Sequence, residues 1–438
     1  MKSGARVAVI GGGSSYTPEL IDGFLTHYGE MPVEKITLVD IPDGREKMRI
    51  VAELSQRMIA KSGLPIELDY TLQRKPALRN ADFVCNQFRI GGLKARARDE
   101  SIPMRYGAIG QETVGAGGFA KALRTIPVAL EIARELEEVN PSAWILNFTN
   151  PASMVTQALL NHSSIRTIGL CNVPINIQMA IAKAFNVSPQ DVGMDFFGLN
   201  HLSFARKIFV QGRDVTEAVL NAESDDSQTM NNIPQKEWGH QIISAIQMLP
   251  NSYLRYYWFT DEMLRHQQED LDAGKGTRAI QVMALEAELF KKYQDPTLAV
   301  KPPELMKRGG AYYSEVAVSV MSSIFGNHPR EMVVNLRNGH TLPELPENAS
   351  IEVSAIIDGQ GARPIYSGPM PATVRGLIQQ VKAYEDLTVA AAVTGDRDTA
   401  FAALLNNPLV PSADAAEKIL DDILRENAAY LPQFDLGE

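Results

Sequence analysis

The first chemistry legible in this sequence is a glycine turn. Val7-Ala8-Val9-Ile10 runs into Gly11-Gly12-Gly13-Ser14-Ser15-Tyr16-Thr17-Pro18, the pattern of a buried strand, a tight turn and a helix opened at Thr17 with Pro18 in its first turn. Glycines let a backbone approach a pyrophosphate, and free N–H groups at a helix start favour its charge. Gly11, Gly12, Gly13, Ser14 and Ser15 are therefore the expected cofactor-binding residues. The dinucleotide fingerprint G-x-G-x-x-G is incomplete, because Tyr16 stands where its third glycine would be. A second strand, Lys35 to Val39, ends on Asp40, placed to accept hydrogen bonds from a ribose. A carboxylate there selects NAD over NADP, since it repels a 2′-phosphate.

Further along, Arg89, Arg96 and Arg98 flank the pair Gly91-Gly92, either as an anion site near the cofactor or as a solvated helix face. Gly110 to Gly118 is a glycine-rich stretch with one acid, Glu112, and reads as a functional loop. Cys171 and His201 follow predicted strands. They either hold a divalent metal, with the substrate completing its coordination, or are buried structural residues. The cluster Tyr253 to Trp258 reads from composition as core.

These groups need elements to carry them. Strands at Val7–Ile10, Lys35–Val39, Ile66–Tyr70, Asp82–Gln87, Ala143–Pro151 and Thr167–Asn172 alternate with helical segments, the longest from Ala120 to Val139. That alternation predicts an α/β fold: a Rossmann-like doubly wound parallel sheet, residues 1–195, whose strand ends bring Asp40, Asn150, Cys171 and Asn172 to one rim. An α+β substrate and oligomerisation domain is expected over 196–438, with a strand leading to His201, a helical region from Asp214 to Leu305, strands at Glu331–Leu336 and Ile351–Ile357, and closing helices.

The chain has 438 residues, enough for two or three domains. A net charge of -10 argues against nucleic acid or an acidic membrane surface as a partner. Two cysteines, no signal-peptide pattern and no run near the ~20 apolar residues of a membrane span give a cytoplasmic expectation.

Taken together, Ile10 to Leu20, Arg89-Ile90-Gly91-Gly92-Leu93, Gly110-Gln111-Glu112-Thr113, Asn147 to Ala152, Cys171-Asn172-Val173-Pro174 and Gly198-Leu199-Asn200-His201 resemble glycoside hydrolase family 4, in its 6-phospho-β-glucosidase branch. The resemblance covers essentially the whole chain. It implies hydrolysis of 6-phospho-β-glucosides, such as phosphorylated cellobiose, with NAD and a divalent metal, commonly manganese, in place of the usual carboxylate pair. The implied course is oxidation at C3, removal of the C2 proton by a base, elimination of the aglycone, addition of water and return of the hydride. Cys171 and His201 match the family's metal ligands, and Arg96, Asn150 and Arg278 its substrate-binding positions. The base falls at Tyr256 or Tyr257, with Tyr256 preferred. Asn172 replaces the aspartate that donates a proton in α-specific relatives, a mark of β-specificity that leaves the leaving-group acid unassigned. A homo-oligomer, dimer or tetramer, is also implied. The rival readings are an NAD-dependent 2-hydroxy acid dehydrogenase and a non-enzymatic NAD-binding sensor.

Overall fold

The protein is described from a computed structural model that covers residues 4–225, 233, 236–308 and 312–435. The amino-terminal part alternates as the sequence predicts: β1 (Ala5–Ile10), α1 (Thr17–Thr26), β2 (Val33–Val39), α2 (Arg45–Ser62), β3 (Glu67–Thr71), α3 (Arg74–Leu78), β4 (Phe83–Asn86), α4 (Gly92–Met104), α5 (Gly115–Val139), β5 (Trp144–Asn147), α6 (Ala152–His162), β6 (Arg166–Gly169) and α7 (Asn172–Phe185). The six strands are parallel, in the order β3-β2-β1-β4-β5-β6. The order reverses between β1 and β4, which opens a crevice at the carboxyl ends of these two strands.

Period-2 alternation explains why both faces of this sheet are covered. Val7 and Val9 of β1 pack with Phe24, Leu38 and Val51 on one face, while Ala8 and Ile10 pack with Phe119, Ile126 and Ile145 on the other. α5 begins at Gly115, five residues before the expected Ala120, so only Gly110 to Val114 of the expected loop is irregular. A side chain at Gly117 would lie 2.1 Å from the Gln111 carbonyl, so glycine is what lets the helix start tuck beneath that segment.

The strand leading to His201 does not join the Rossmann sheet. β7 (Val192–Leu199) and β8 (Leu202–Val210) form an antiparallel pair, to which β9 (Arg213–Asp214) and β10 (Leu249–Pro250) attach at β8. The expected helical region forms α8 (Thr216–Asp225), α9 (His240–Ile246), α10 (Arg255–Trp258), α11 (Thr260–Asp272) and α12 (Arg278–Tyr293); its residues 226–232, 234 and 235 lie outside the described residues. After α13 (Tyr313–Gly326) the chain returns to the first sheet. β11 (Arg330–Arg337), β12 (Ser350–Asp358) and β13 (Gly361–Pro364) extend it antiparallel beyond β6, with Asn335 opposite Gly169, to nine strands. The two sheets meet where the Phe196 N–H donates to Ser354 Oγ at 3.2 Å. α14 (Ala372–Thr394), α15 (Arg397–Asn406) and α16 (Ala413–Glu426) close the chain, α14 packing on α5 and α6. No described helix is long and apolar enough to cross a membrane.

Candidate active site

The carboxyl ends of β1, β2, β4, β5 and β6 form the rim. At β1 the glycine turn is tight: a side chain on Gly11 (φ +83°) would come within 2.8 Å of Phe88 Cα, and one on Gly12 within 2.9 Å of the Val39 nitrogen. Close backbone approach is thus built in. The expectation of free N–H groups needs correction, because the turn uses most of its own. Gly11 and Gly12 both donate to the Val39 carbonyl at 2.9 Å, Ser14 donates to Gly11 at 3.0 Å, and Gly13 donates to Asp40 Oδ2 at 2.7 Å. Asp40 also accepts from the Ile41 N–H, and burial raises its pKa. Thr17 does not cap α1. It is the first helical residue, and its hydroxyl donates back to the Gly12 carbonyl at 2.9 Å.

What fits a dinucleotide along this rim is a set of side-chain atoms. Ser15 Oγ, both amide atoms of Asn86 at the end of β4, and Thr149 Oγ1 after β5 are buried with no hydrogen-bond partner among the described residues. Buried polar groups are paired in native proteins, and the phosphate, ribose and amide groups of NAD offer partners of the needed kinds.

Further along the rim, Cys171 caps α7, its Sγ accepting from the Val173 N–H at 3.4 Å. Asn172 is the first residue of that helix, and Asn150 lies half-buried between β5 and α6. His201 arrives from the other sheet, in the turn between β7 and β8, with φ +66°. One residue absent from the sequence reading draws these pieces together. Glu352, fully buried on β12, accepts from Asn200 Nδ2 at 2.9 Å, Ser203 Oγ at 2.7 Å and Asn335 Nδ2 at 3.2 Å. It also meets the Cys171 thiol, which Asn200 touches as well. Burial raises the pKa of Glu352, against the pull of those hydrogen bonds, and burial likewise pushes the Cys171 thiol up. Burial lowers His201 to about 3, which leaves a neutral imidazole with a lone pair to give. A thiol and a neutral imidazole suit a divalent transition metal. Among the described residues no three His, Cys, Asp or Glu side chains form a cation site, so further ligands would have to come from substrate or water.

The tyrosine beside His201 is Tyr253. The rings stack with centroids 3.7 Å apart and planes 4° from parallel. Ser203 sets this up: its hydroxyl accepts from Asn251 Nδ2 at 3.0 Å, and Asn251 Oδ1 accepts from the Tyr253 N–H at 3.0 Å. The Tyr253 phenol bonds to Thr113. Tyr256 lies one ring further out, 6.1 Å from Tyr253, with its phenol on Gln111. Tyr257 does not share this setting, since the charge acting on it is Glu385 of α14. Burial raises all three phenols. The signal for Tyr253 in the sequence was Asn251-Ser252, an Asn cap that opens a short helical turn.

The arginines form the third group. Arg96 Nε donates to Glu100 Oε1 at 2.7 Å, and the other Glu100 oxygen accepts from the Ala279 N–H at 2.7 Å. Glu100 thereby holds the start of α12, and with it Arg278, against Arg96. Glu112 meets Arg89, Arg96 at 3.0 Å and Lys121 at 2.8 Å. Although burial opposes it, these three cations hold Glu112 well below the usual carboxylate range, while burial and Arg89 lower Lys121 to about 7. Arg89 and Arg96 therefore already face a carboxylate of the protein, a departure from the simple anion site expected there. Cys85, in β4, is fully buried in the core.

A doubly wound sheet with a glycine cradle, joined to a thiol–imidazole–phenol cluster, defines a nucleotide-binding enzyme of Rossmann type. The chain belongs to the family 4 glycosyl hydrolases: residues 6–187 match Family 4 glycosyl hydrolase, and residues 196–410 match Family 4 glycosyl hydrolase C-terminal domain. It is 49% identical to a probable 6-phospho-beta-glucosidase of Bacillus subtilis, over 99% of both chains. It is 39% identical to the 6-phospho-beta-glucosidase of Escherichia coli, over 99% of this chain and 98% of that one. The 6-phospho-beta glucosidase of Thermotoga maritima, solved with manganese, NAD+ and glucose-6-phosphate, superposes with a TM-score of 0.88 at 34% identity, covering 97% of this chain and 99% of that one.

Proposed function

We propose that this protein is a 6-phospho-β-glucosidase that hydrolyses its substrate, phosphorylated cellobiose or a related β-glucoside, with NAD and a divalent metal, manganese first among candidates. The observation that carries the reading is the convergence of Cys171, His201 and Tyr253, tied together through Glu352, Asn200 and Ser203, beside a rim of unpartnered Ser15, Asn86 and Thr149 side chains. When bound, the nicotinamide would supply reversible oxidation of a sugar hydroxyl, and the metal would supply Lewis-acid stabilisation of the negative charge formed on deprotonation. Gly11 to Ser15 and Asp40 hold the cofactor, and Cys171 and His201 the metal. Tyr253 removes the C2 proton, in preference to Tyr256 and Tyr257, because its ring lies on the metal-binding imidazole. Its phenol is raised by burial, so it becomes a base only beside a positive charge. Arg96, Arg278 and Asn150 bind the phosphorylated sugar, and Asn172 marks the β-type site. The same proposal includes the division into 1–195 and 196–438, supported by the separate family matches over 6–187 and 196–410 although β11 to β13 return to the first sheet, a cytoplasmic setting, and a homo-oligomer, which sedimentation would read.

The test is release of nitrophenol from a nitrophenyl 6-phospho-β-glucoside with NAD and manganese each added or omitted. Hydrolysis that needs both, with no net NADH, is expected. Net NADH from a 2-hydroxy acid would favour a dehydrogenase, and NAD binding without hydrolysis a sensor.

A further inference from the structure

One arginine beside the glycine cradle has no role in the account above. Arg308 ends the short 3-10 helix Pro303–Arg308, and its guanidinium carbon lies 4.3 Å from the centre of the Tyr16 ring. Tyr16 is the residue that replaces the fingerprint's third glycine, at the entry to α1. Arg308 Nε and Nη1 are sealed from solvent and have no hydrogen-bond partner among the described residues. The carboxylate whose charge reaches it, Glu286, is engaged by Lys47 at 2.9 Å. Burial lowers the pKa of Arg308, and Arg89 and Arg96 lower it further.

The neighbouring arginine is in a similar position. Arg278 Nη2 donates to the Lys307 and Arg308 carbonyls at 3.2 and 3.5 Å, so it grips the turn that carries Arg308, while its Nε is also buried and unpartnered. The Tyr16 phenol, raised by burial, feels Arg308, Arg96 and Arg278 together. One guanidinium thus stacks on the Tyr16 ring at the mouth of the cradle, two more act on its phenol through their charge, and Arg278 and Arg308 both keep buried donors unused. Fixed guanidinium forks with spare donors match a phosphate oxyanion better than any neutral group.

We infer that Arg308 completes a phosphate-ester site with Arg96 and Arg278, stacking on Tyr16 to aim its fork at the ester oxygens. The inference rests on the function proposed above. Two sources carry this chemistry, the 6-phosphate of the sugar and the pyrophosphate of the cofactor, and binding measurements separate them.

Glucose 6-phosphate, glucose and NAD are titrated calorimetrically, each alone, into the parent protein, Arg308→Gln and Arg308→Lys, with circular dichroism as a check on folding. For Arg308→Gln, a Kd for glucose 6-phosphate at least tenfold weaker is expected, with NAD within twofold of the parent. Arg308→Lys should fall between, because it keeps the charge and loses the fork, and it carries the same comparison if the Gln variant is misfolded. Weakened NAD with unchanged glucose 6-phosphate would assign the ester to the cofactor. Unchanged Kd values for both ligands would overturn the inference. Failure of the proposed function would look different: a parent protein that binds these ligands and hydrolyses no phosphorylated glucoside.

Discussion

Glu112→Gln removes one charge from a buried cluster and leaves its shape almost intact. In the parent, Glu112 faces Arg89, Arg96 at 3.0 Å and Lys121 at 2.8 Å, and both Glu112 and Lys121 are buried. At an effective dielectric of ~20, a pair at ~3 Å attracts by about 5 kcal/mol before desolvation is counted. Stranding one partner of a buried pair costs about 3–5 kcal/mol, and Arg96 keeps Glu100, so we expect a loss near the lower figure. The sign with pH follows from Lys121. Burial and Arg89 hold it at about 7, below its unfolded value, so the native state already resists its protonation as pH falls toward 7. Without Glu112 that resistance extends to lower pH, and the gap between parent and variant should widen from pH 8 to pH 6. Urea unfolding followed by tryptophan fluorescence reads both quantities, and Lys121→Met added to Glu112→Gln should recover part of the loss. A pH-independent difference under about 1 kcal/mol would refute this electrostatic account of the cluster.

Other expectations concern the reacting groups. Tyr253→Phe should lower kcat by about 10²–10⁴ with NAD binding unchanged, whereas Tyr257→Phe, beside Glu385, should stay within a few-fold; near-parent turnover by Tyr253→Phe would move the base to Tyr256. Cys171→Ser should bind NAD normally yet need far more manganese, since Leu170 to Pro174 offers no other soft ligand; equal manganese dependence would remove the thiol from the metal site. Glu352→Gln cannot accept from Asn200, Ser203 and Asn335 together, and should weaken manganese about 10–100-fold while leaving the NAD Kd unaltered. An equal effect on both ligands would make Glu352 merely structural.

The amino-terminal architecture was legible because a parallel sheet covered on both faces leaves near-continuous apolar strands, and because the turn at Gly11 has few alternatives. The return of β11 to β13 to that sheet was not legible. Period-2 patterns at Glu331–Leu336 and Ile351–Ile357 announce strands but not their partners, and here the partner, β6, lies more than 150 residues earlier. His201 was singled out by motif, yet its route through a second sheet depends on Ser354 bridging β7 and β12, a contact without local signature. Tyr253 was hidden in an aromatic run that composition assigns to core, and Tyr253 and Tyr256 are indeed buried while Tyr257 is only half-buried. Glu352 carried no such signal: in Ser350-Ile351-Glu352-Val353-Ser354-Ala355 it alternates with apolar residues and reads as part of a solvent face, whereas β7 packs on β12 and Glu352 is buried. The residues legible from sequence were thus those whose chemistry depends on local backbone. Those missed are held by contacts between distant strands.

The central claim is that Tyr253 removes a proton from C2 before the aglycone leaves. Turnover of a nitrophenyl 6-phospho-β-glucoside in deuterium oxide, with NAD and manganese, followed by NMR of the glucose 6-phosphate formed, tests it directly. A tyrosine proton exchanges with solvent, so deuterium at C2 is predicted, one atom per turnover at full exchange. A product whose C2 keeps its original hydrogen would contradict the account, because direct displacement at C1 never breaks that bond.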